Sequence, residues 1–253
     1  MNNFEKRLNE YERLVNLGKT TKEIANDLKI STRSINNYAK KLKIKPKRQN
    51  RNKFNIDFFE KIDTEEKAYM LGFISADGYI SSNNRTLCFR ISKKDIDIIE
   101  KFNKLIDFKN NIIYKENTID INYCSIKMVK DLEKYGIVRN KTKTVYLPEL
   151  EDKLIKHFIR GYIDGDGCIG KKQVSIIFGS EKMYRDMLKT FEKKSKGKIS
   201  SLKKDNYYII QLCRRNCDLI KYLYEDSKIY LDRKKQSYNQ NWKFYTERIR
   251  TKG

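Results

Sequence analysis

The sequence predicts an α+β protein in which one αββαββα unit is written twice and is preceded by a small all-α domain. Three observations predict it. First, "AYMLGFISADGYI" (68–80) and "HFIRGYIDGDGCI" (157–169) are apolar helix patterns that each end on an acid beside glycine. Those acids, Asp77 and Asp166, are 89 positions apart (166 − 77). Second, the same order of strand and helix patterns follows each acid. Third, the front of the chain has helical periodicity only and ends in a basic run. The expected domains are 1–53, 54–146 and 147–253.

In the front domain, "GKTTKEIANDLKISTRSINNYAKKLKI" (18–44) has helix-turn-helix grammar. Thr20 or Thr21 can cap a helix whose apolar face is Ile24, Ala25 and Leu28; Ser31 can cap a second, with Ile35, Ala39 and Leu42 at i, i+4 and i+7. Thr32, Arg33, Asn36, Asn37 and Lys40 then point outward, the chemistry that reads base edges and phosphates. Lys29 stands where such turns usually carry glycine, and a plain helical hairpin is the alternative. The run "KIKPKRQNRNKF" that follows reads as a basic linker able to lie on phosphates.

In the body, the first copy continues with strands "GYISSN" and "TLCFRIS", helix "KKDIDIIEKFNKLID", strands "NIIYKE" and "TIDINYC", and helix "SIKMVKDLEKYG". The second continues with "CIGKK" and "QVSIIFGS", helix "EKMYRDMLKTFEKK", strands "GKISSL" and "NYYIIQLC", and helix "CDLIKYLYED". Cys124 and Cys213 fall at equivalent strand ends. Each copy thus has about four strands, and two copies face to face make a pseudo-two-fold site within a monomer.

The chain has 253 residues, 56 Lys+Arg against 33 Asp+Glu, and a formal net charge of +23. A folded chain this basic most often partners a polyanion, nucleic acid first; a solubilising lysine surface is the plainer reading. No apolar run approaches the roughly 20 residues that span a bilayer, and "MNNFEKRLNEYERL" lacks a secretory h-region. Cys88, Cys124, Cys168, Cys213 and Cys217 are odd in number and lack CxxC spacing, so they read as reduced thiols, mostly packed in strands of an intracellular protein, cytoplasmic or nucleoid-associated. His157, the only histidine, is expected on the exposed side of its helix, without a role.

An acid at a helix C-terminus faces the negative end of the helix dipole, a placement disfavoured by a few tenths of a kcal/mol or more. Gly72 and Ala76 are four apart in the first motif helix, and Gly161 and Gly165 in the second. Small residues at that spacing let two helix backbones approach along one seam, which would bring the two acids together. Two adjacent carboxylates repel unless a divalent cation lies between them, and Mg²⁺ (or Mn²⁺) with carboxylate and phosphate oxygens fits.

These residues resemble the LAGLIDADG homing endonucleases, in the single-chain form with two motifs, over roughly residues 60 to 240. The nine-residue signature lies on "MLGFISADG" (Met70 to Gly78) and "IRGYIDGDG" (Ile159 to Gly167). The resemblance implies a saddle of two four-stranded antiparallel sheets over the DNA major grooves, with the motif acids at the minor groove between them. It implies Asp77 and Asp166 as metal ligands, and Ala76 and Gly165, which precede them, are counted with the metal site. It also implies a basic residue in each half: "GIVRNKTKT" and "IYLDRKKQ" point to Lys141 and Lys234, although the register could shift to Arg233. Ser75 departs from the signature's first acid, which the second motif keeps as Asp164.

The implied activity is metal-dependent cleavage of both strands of a long double-stranded DNA site within an allele lacking the intron or intein. Arg85, Arg90, Asn122, Lys171, Gln173, Gln211 and Arg214 are expected at alternating strand positions that contact bases or phosphates, or simply solvent. Two alternatives remain: a group I intron maturase binding intron RNA, and a non-catalytic DNA-binding regulator built on the same fold. Retention of both acids counts against the regulator. The chain also lacks the terminal residues of a full intein.

Overall fold

Three helices form the first of two units, Met1–Lys53 and Phe54–Gly253, into which the chain divides; a computed structural model describes residues 3–47, 54–109 and 112–244. Helix α1 (Asn3–Asn16) adds an element ahead of the pair expected from the sequence, and seats Tyr11 and Leu14 against Ile24, Ala25, Ile35 and Tyr38. Helix α2 (Thr21–Asp27) begins with a capping box, in which Thr20 and Glu23 satisfy each other's backbone N–H. Ser31 caps α3 (Thr32–Leu42). Between them Lys29 has φ +50°, so the turn takes the left-handed conformation that glycine usually supplies. The described part of the linker folds back on its own unit: Tyr11 donates to the Ile44 carbonyl at 2.7 Å, and Lys47 N–H to the Lys19 carbonyl at 3.1 Å. The rest of the basic linker lies outside the described residues.

In the second unit, α4 (Glu65–Asp77) leads into β1 (Gly78–Ile80) and β2 (Thr86–Ser92), then α5 (Ile96–Leu105), β3 (Ile113–Tyr114), β4 (Thr118–Cys124) and α6 (Ile126–Glu133). The second half repeats this as α7 (Asp152–Asp166), β5 (Gly167–Ile169), β6 (Gln173–Phe178), α8 (Glu181–Lys194), β7 (Ser200–Lys203), β8 (Tyr208–Cys213) and α9 (Cys217–Tyr224). Each half makes one antiparallel sheet, ordered β1-β2-β4-β3 and β5-β6-β8-β7. This is the duplicated αββαββα saddle.

Strand alternation sets the two faces of each sheet. Leu87, Phe89 and Ile91 of β2 and Ile119, Ile121 and Tyr123 of β4 turn inward against α4 and α5, where Phe73, Phe102 and Phe108 complete an aromatic core. The second half fills the same place with Val174, Ile176 and Phe178, Ile210 and Leu212, and the α8 residues Met183, Met187 and Phe191. The opposite, open faces carry polar residues and four of the five cysteines, all free: Cys88 and Cys124 on one sheet, Cys168 and Cys213 on the other; Cys217 lies in α9.

One further helix was not evident from the sequence. Helix α10 (Asp232–Asn241) is almost wholly polar, yet it docks on β5: Ser237 donates to the Ile169 carbonyl at 2.6 Å, and buried Trp242 to the Gly170 carbonyl at 2.9 Å. Among the described residues no helix is long and apolar enough to cross a membrane.

Candidate active site at the seam of the two halves

Helix α4 is apolar all round, and residues 68–75 are buried without interruption. Such a helix belongs between two layers. It crosses α7 at two glycines: a Cβ on Gly72 would lie 1.9 Å from the Phe158 carbonyl oxygen, and one on Gly161 2.0 Å from that of Tyr69. Backbone meets backbone there, and the approach continues to the C-terminal ends, where Gly165 packs on the Ala76 methyl and a Cβ on it would sit 3.2 Å from Asp77 Oδ2. Ala76 and Gly165 therefore meet across the seam, one residue before each acid.

Asp77 and Asp166 end the two helices side by side at this seam. Asp77 is half-buried, and Asp166 reaches solvent. Desolvation pushes the Asp77 carboxyl up to about 6, helped by the charges of Asp166 and Asp95 and opposed by Lys141 and Lys234. Asp166 is raised by the same desolvation, while Lys141, the Tyr162 hydroxyl and Lys234 pull it down. The site thus holds more negative charge than its surroundings solvate. Among the described residues no group of three or more His, Cys, Asp or Glu forms a metal cluster, so the acids stand as a pair.

The two lysines flank that pair. Lys141 opens a 3-10 turn, Lys141–Lys143, and donates to the Ala76 carbonyl at 3.3 Å; Lys234, in the first turn of α10, donates to the Gly167 carbonyl. Both are buried, which lowers their pKa values, although for Lys141 the two acids work against that drop. Within "DRKK" Lys234 turns to the seam, and Arg233 turns away to close its guanidinium on Asp95 of the first half, with Nη2–Oδ2 at 2.9 Å.

The sequence reading missed what holds these groups. Asp164, the extra acid of the second signature, is fully buried and accepts from Tyr69 Oη at 2.7 Å, Tyr224 Oη at 2.6 Å and Leu231 N–H at 2.8 Å. Leu231 precedes α10, so this carboxylate anchors the segment carrying Lys234. Among the described residues its counterpart Ser75 bonds its own helix, at the Leu71 carbonyl. The acid at position 164 was the one available signal; Asp95 is 138 residues from Arg233 and gave none.

His157 corrects an expectation. It is buried rather than exposed, because α7 packs on α4 along one side and α9 along another. Its Nδ1 lies 3.6 Å from Glu65 Oε1, and burial beside Arg160 pushes its pKa down to about 4, so the ring is neutral near pH 7. Arg160, fully buried, takes the Glu65 carboxylate at 2.7 Å and the Leu223 and Ile229 carbonyls.

The residues expected to meet nucleic acid divide by position. Arg33, Asn36, Asn37 and Lys40 are exposed on α3. Arg90 and Asn122 occupy the open face of the first sheet, but Arg90 is already forked onto Asp120 at 2.9 and 3.0 Å, and Lys115 reaches the same carboxylate at 2.5 Å. Gln173 and Gln211 lie on β6 and β8. Arg85, Lys171 and Arg214 are not at strand positions: β1 and β5 stop after three residues, leaving Arg85 and Lys171 in turns, and Arg214 opens a 3-10 turn after β8.

No family model matches the chain. The Replication factor C small subunit of Methanocaldococcus jannaschii is 28% identical over 140 residues, a match covering 53% of this chain and only 8% of that protein. Among solved structures, a double lysine-to-alanine mutant of I-SmaMI superposes with TM-score 0.50 at 13% identity, covering 73% of this chain and 92% of that one. I-SmaMI, a LAGLIDADG homing endonuclease bound to cleaved DNA, gives TM-score 0.47 at 13% identity, with 75% and 97% covered. I-LtrWI, a LAGLIDADG homing endonuclease bound to target DNA, gives 0.48 at 14%, with 78% and 92% covered. With two motif helices crossing on glycine, two antiparallel sheets and this superposition, the chain has the fold of the LAGLIDADG homing endonucleases.

Proposed function

We propose that the chain is a DNA endonuclease that makes a metal-dependent double-strand break in a long target. One observation carries the reading: an acid from each half meets the other at a single seam, with a lysine from each half beside them. Asp77 and Asp166 would hold Mg²⁺ (or Mn²⁺), with water and phosphate oxygens completing its shell. The donor set fits, because two desolvated, mutually repelling carboxylates are the arrangement a divalent cation relieves. When bound, such a metal lowers the pKa of an attacking water and stabilises the leaving 3′ oxygen.

The chain's own groups do the rest. Lys141 and Lys234 place positive charge where the scissile phosphates would lie. The open sheet faces, through Asn122, Gln173 and Gln211, would meet base edges, while Arg85, Lys171 and Arg214 in the turns suit phosphate contacts. Helix α3 would add a second contact through Arg33, Asn36, Asn37 and Lys40. The net charge of +23 makes such binding steeply salt-dependent.

The test is incubation with linear and supercoiled DNA carrying candidate sites, with and without Mg²⁺. Cleavage should require the metal, and Asp77→Asn or Asp166→Asn should each abolish double-strand cutting while binding stays within about threefold. Full cutting by either variant would sink the two-acid assignment, and a binding constant insensitive to salt would contradict the nucleic-acid reading.

A further inference from the structure

The two lysines are held in unlike ways. The segment bearing Lys234 is tied to the first half by a set of polar contacts: Arg233 forks onto Asp95, Lys101 reaches the Tyr230 carbonyl at 2.7 Å and Asp232 at 2.6 Å, and Asp232 N–H donates to Asp97 Oδ2 at 3.0 Å. Asp95 is itself buried, and among the described residues its ion pair is with Arg233, the residue next to Lys234. Among the described residues the segment bearing Lys141 meets the second half by packing and a single hydrogen bond. Thr142 packs on Gly179, and Lys143 donates to the Asn206 carbonyl at 2.6 Å. Among the described residues no ion pair ties 139–143 to the other half. The pseudo-two-fold is therefore broken in the supports of the lysines while the acids remain paired.

We infer that Asp95 and Arg233 are positioning residues for Lys234, so that losing the pair slows the cut on one DNA strand more than the cut that relies on Lys141. The inference rests on the endonuclease reading. Its physical basis is that a bidentate carboxylate–guanidinium pair fixes both distance and plane. Losing it frees the first turn of α10, and a displacement of about 1 Å can cost up to about a hundredfold in rate. Among the described residues no hydrogen bond or ion pair joins Lys141 to that pair, and what they share is the charge of Asp77.

The experiment uses the full chain and the DNA site that the unaltered protein cuts, with each strand end-labelled separately. Asp95→Asn should slow cleavage of one strand by about tenfold or more and the other by less than about twofold, so that a nicked intermediate with a single strand identity accumulates. Arg233→Gln removes the pair from its other side and should slow the same strand. The exchange Asp95→Arg with Arg233→Asp should restore much of the lost rate. Equal slowing of both strands, opposite strand bias in the two single variants, or no change overturns the inference. Loss of fold in both single variants would also overturn it, since the pair would then be a structural brace. If the unaltered protein cuts no DNA, it is the endonuclease reading that fails.

Discussion

Tyr69 on the first motif helix donates its hydroxyl to Asp164 on the second at 2.7 Å, across the seam and out of solvent. The bond joins residues 95 apart, and the same carboxylate also gathers Tyr224 and the Leu231 amide. Three donors, two of them neutral hydroxyls, stabilise a charge that burial alone would strongly disfavour, although the carboxyl is still raised on balance.

Asp164→Asn should therefore destabilise the second unit. An amide offers one acceptor oxygen and turns an NH₂ toward donors, leaving at least one buried donor without an acceptor, at a cost of about 1–3 kcal/mol. Urea denaturation reads it directly; an unchanged midpoint would mean that the network contributes nothing net.

Asp77 predicts a pH dependence of the metal-free protein. Its folded pKa, about 6, lies above the ordinary 3.8, so the folded state holds that proton more tightly. Stability from this group is full below about 3.8 and is lost as pH rises through about 6. Relative to the unaltered chain, Asp77→Asn should thus melt higher at pH 7, with the gap shrinking toward pH 4. The thermal midpoints of the two proteins across that range should converge at low pH, and a gap that widens there would refute the assignment.

The glycine crossing predicts intolerance to a single methyl group. Gly161→Ala would press a Cβ on the Tyr69 carbonyl oxygen and the Phe73 amide, 2.0 and 2.8 Å away, and Gly72→Ala on the Phe158 carbonyl oxygen. Neither backbone can yield locally, so each should cost about 3 kcal/mol or more. Gly170→Ala, whose nearest neighbour is the Gln173 carbonyl oxygen at 3.2 Å, serves as the mild comparison in the same denaturation assay.

Deleting residues 1–53 should weaken DNA affinity and shorten the footprint on one side, while metal-dependent cutting persists at high protein concentration. Both acids, both lysines and both sheets lie after Phe54, so what is lost is a tethered second contact. Arg33→Ala and Asn36→Ala should reproduce part of the loss. Coinciding footprints would show that α3 does not read DNA.

Much of this was legible beforehand, for reasons that differ by element. "TLCFRIS", "TIDINYC" and "EKMYRDMLKTFEKK" coincide with β2, β4 and α8; in β4 and α8 one buried face leaves a clean period, while β2 is read from its run of apolar and β-forming residues. The paired acids were legible because an acid at a helix C-terminus is locally unfavourable and occurred twice. Helix α10 was not, since its ten residues carry almost no apolar stripe and it forms through its contacts with β5. The burial of His157 depends on which sides of α7 are covered, and the turn to Arg233–Asp95 depends on tertiary packing; neither leaves a periodic mark.

The glycine crossing is reciprocal: Gly72 lies on the backbone of Phe158 and Tyr162, and Gly161 on that of Tyr69 and Phe73. A reciprocal joint does not know one helix from the other, and by itself would let the first half of one chain mate with the first half of another. What makes the partners distinguishable is polar. Two first halves would set Tyr69 against Ser75, a hydroxyl already committed to its own helix, and would lack the Arg160 that takes Glu65. The tight packing thus supplies adhesion without identity, and the buried polar pairs act as a key against strand-swapped assemblies of newly made chains.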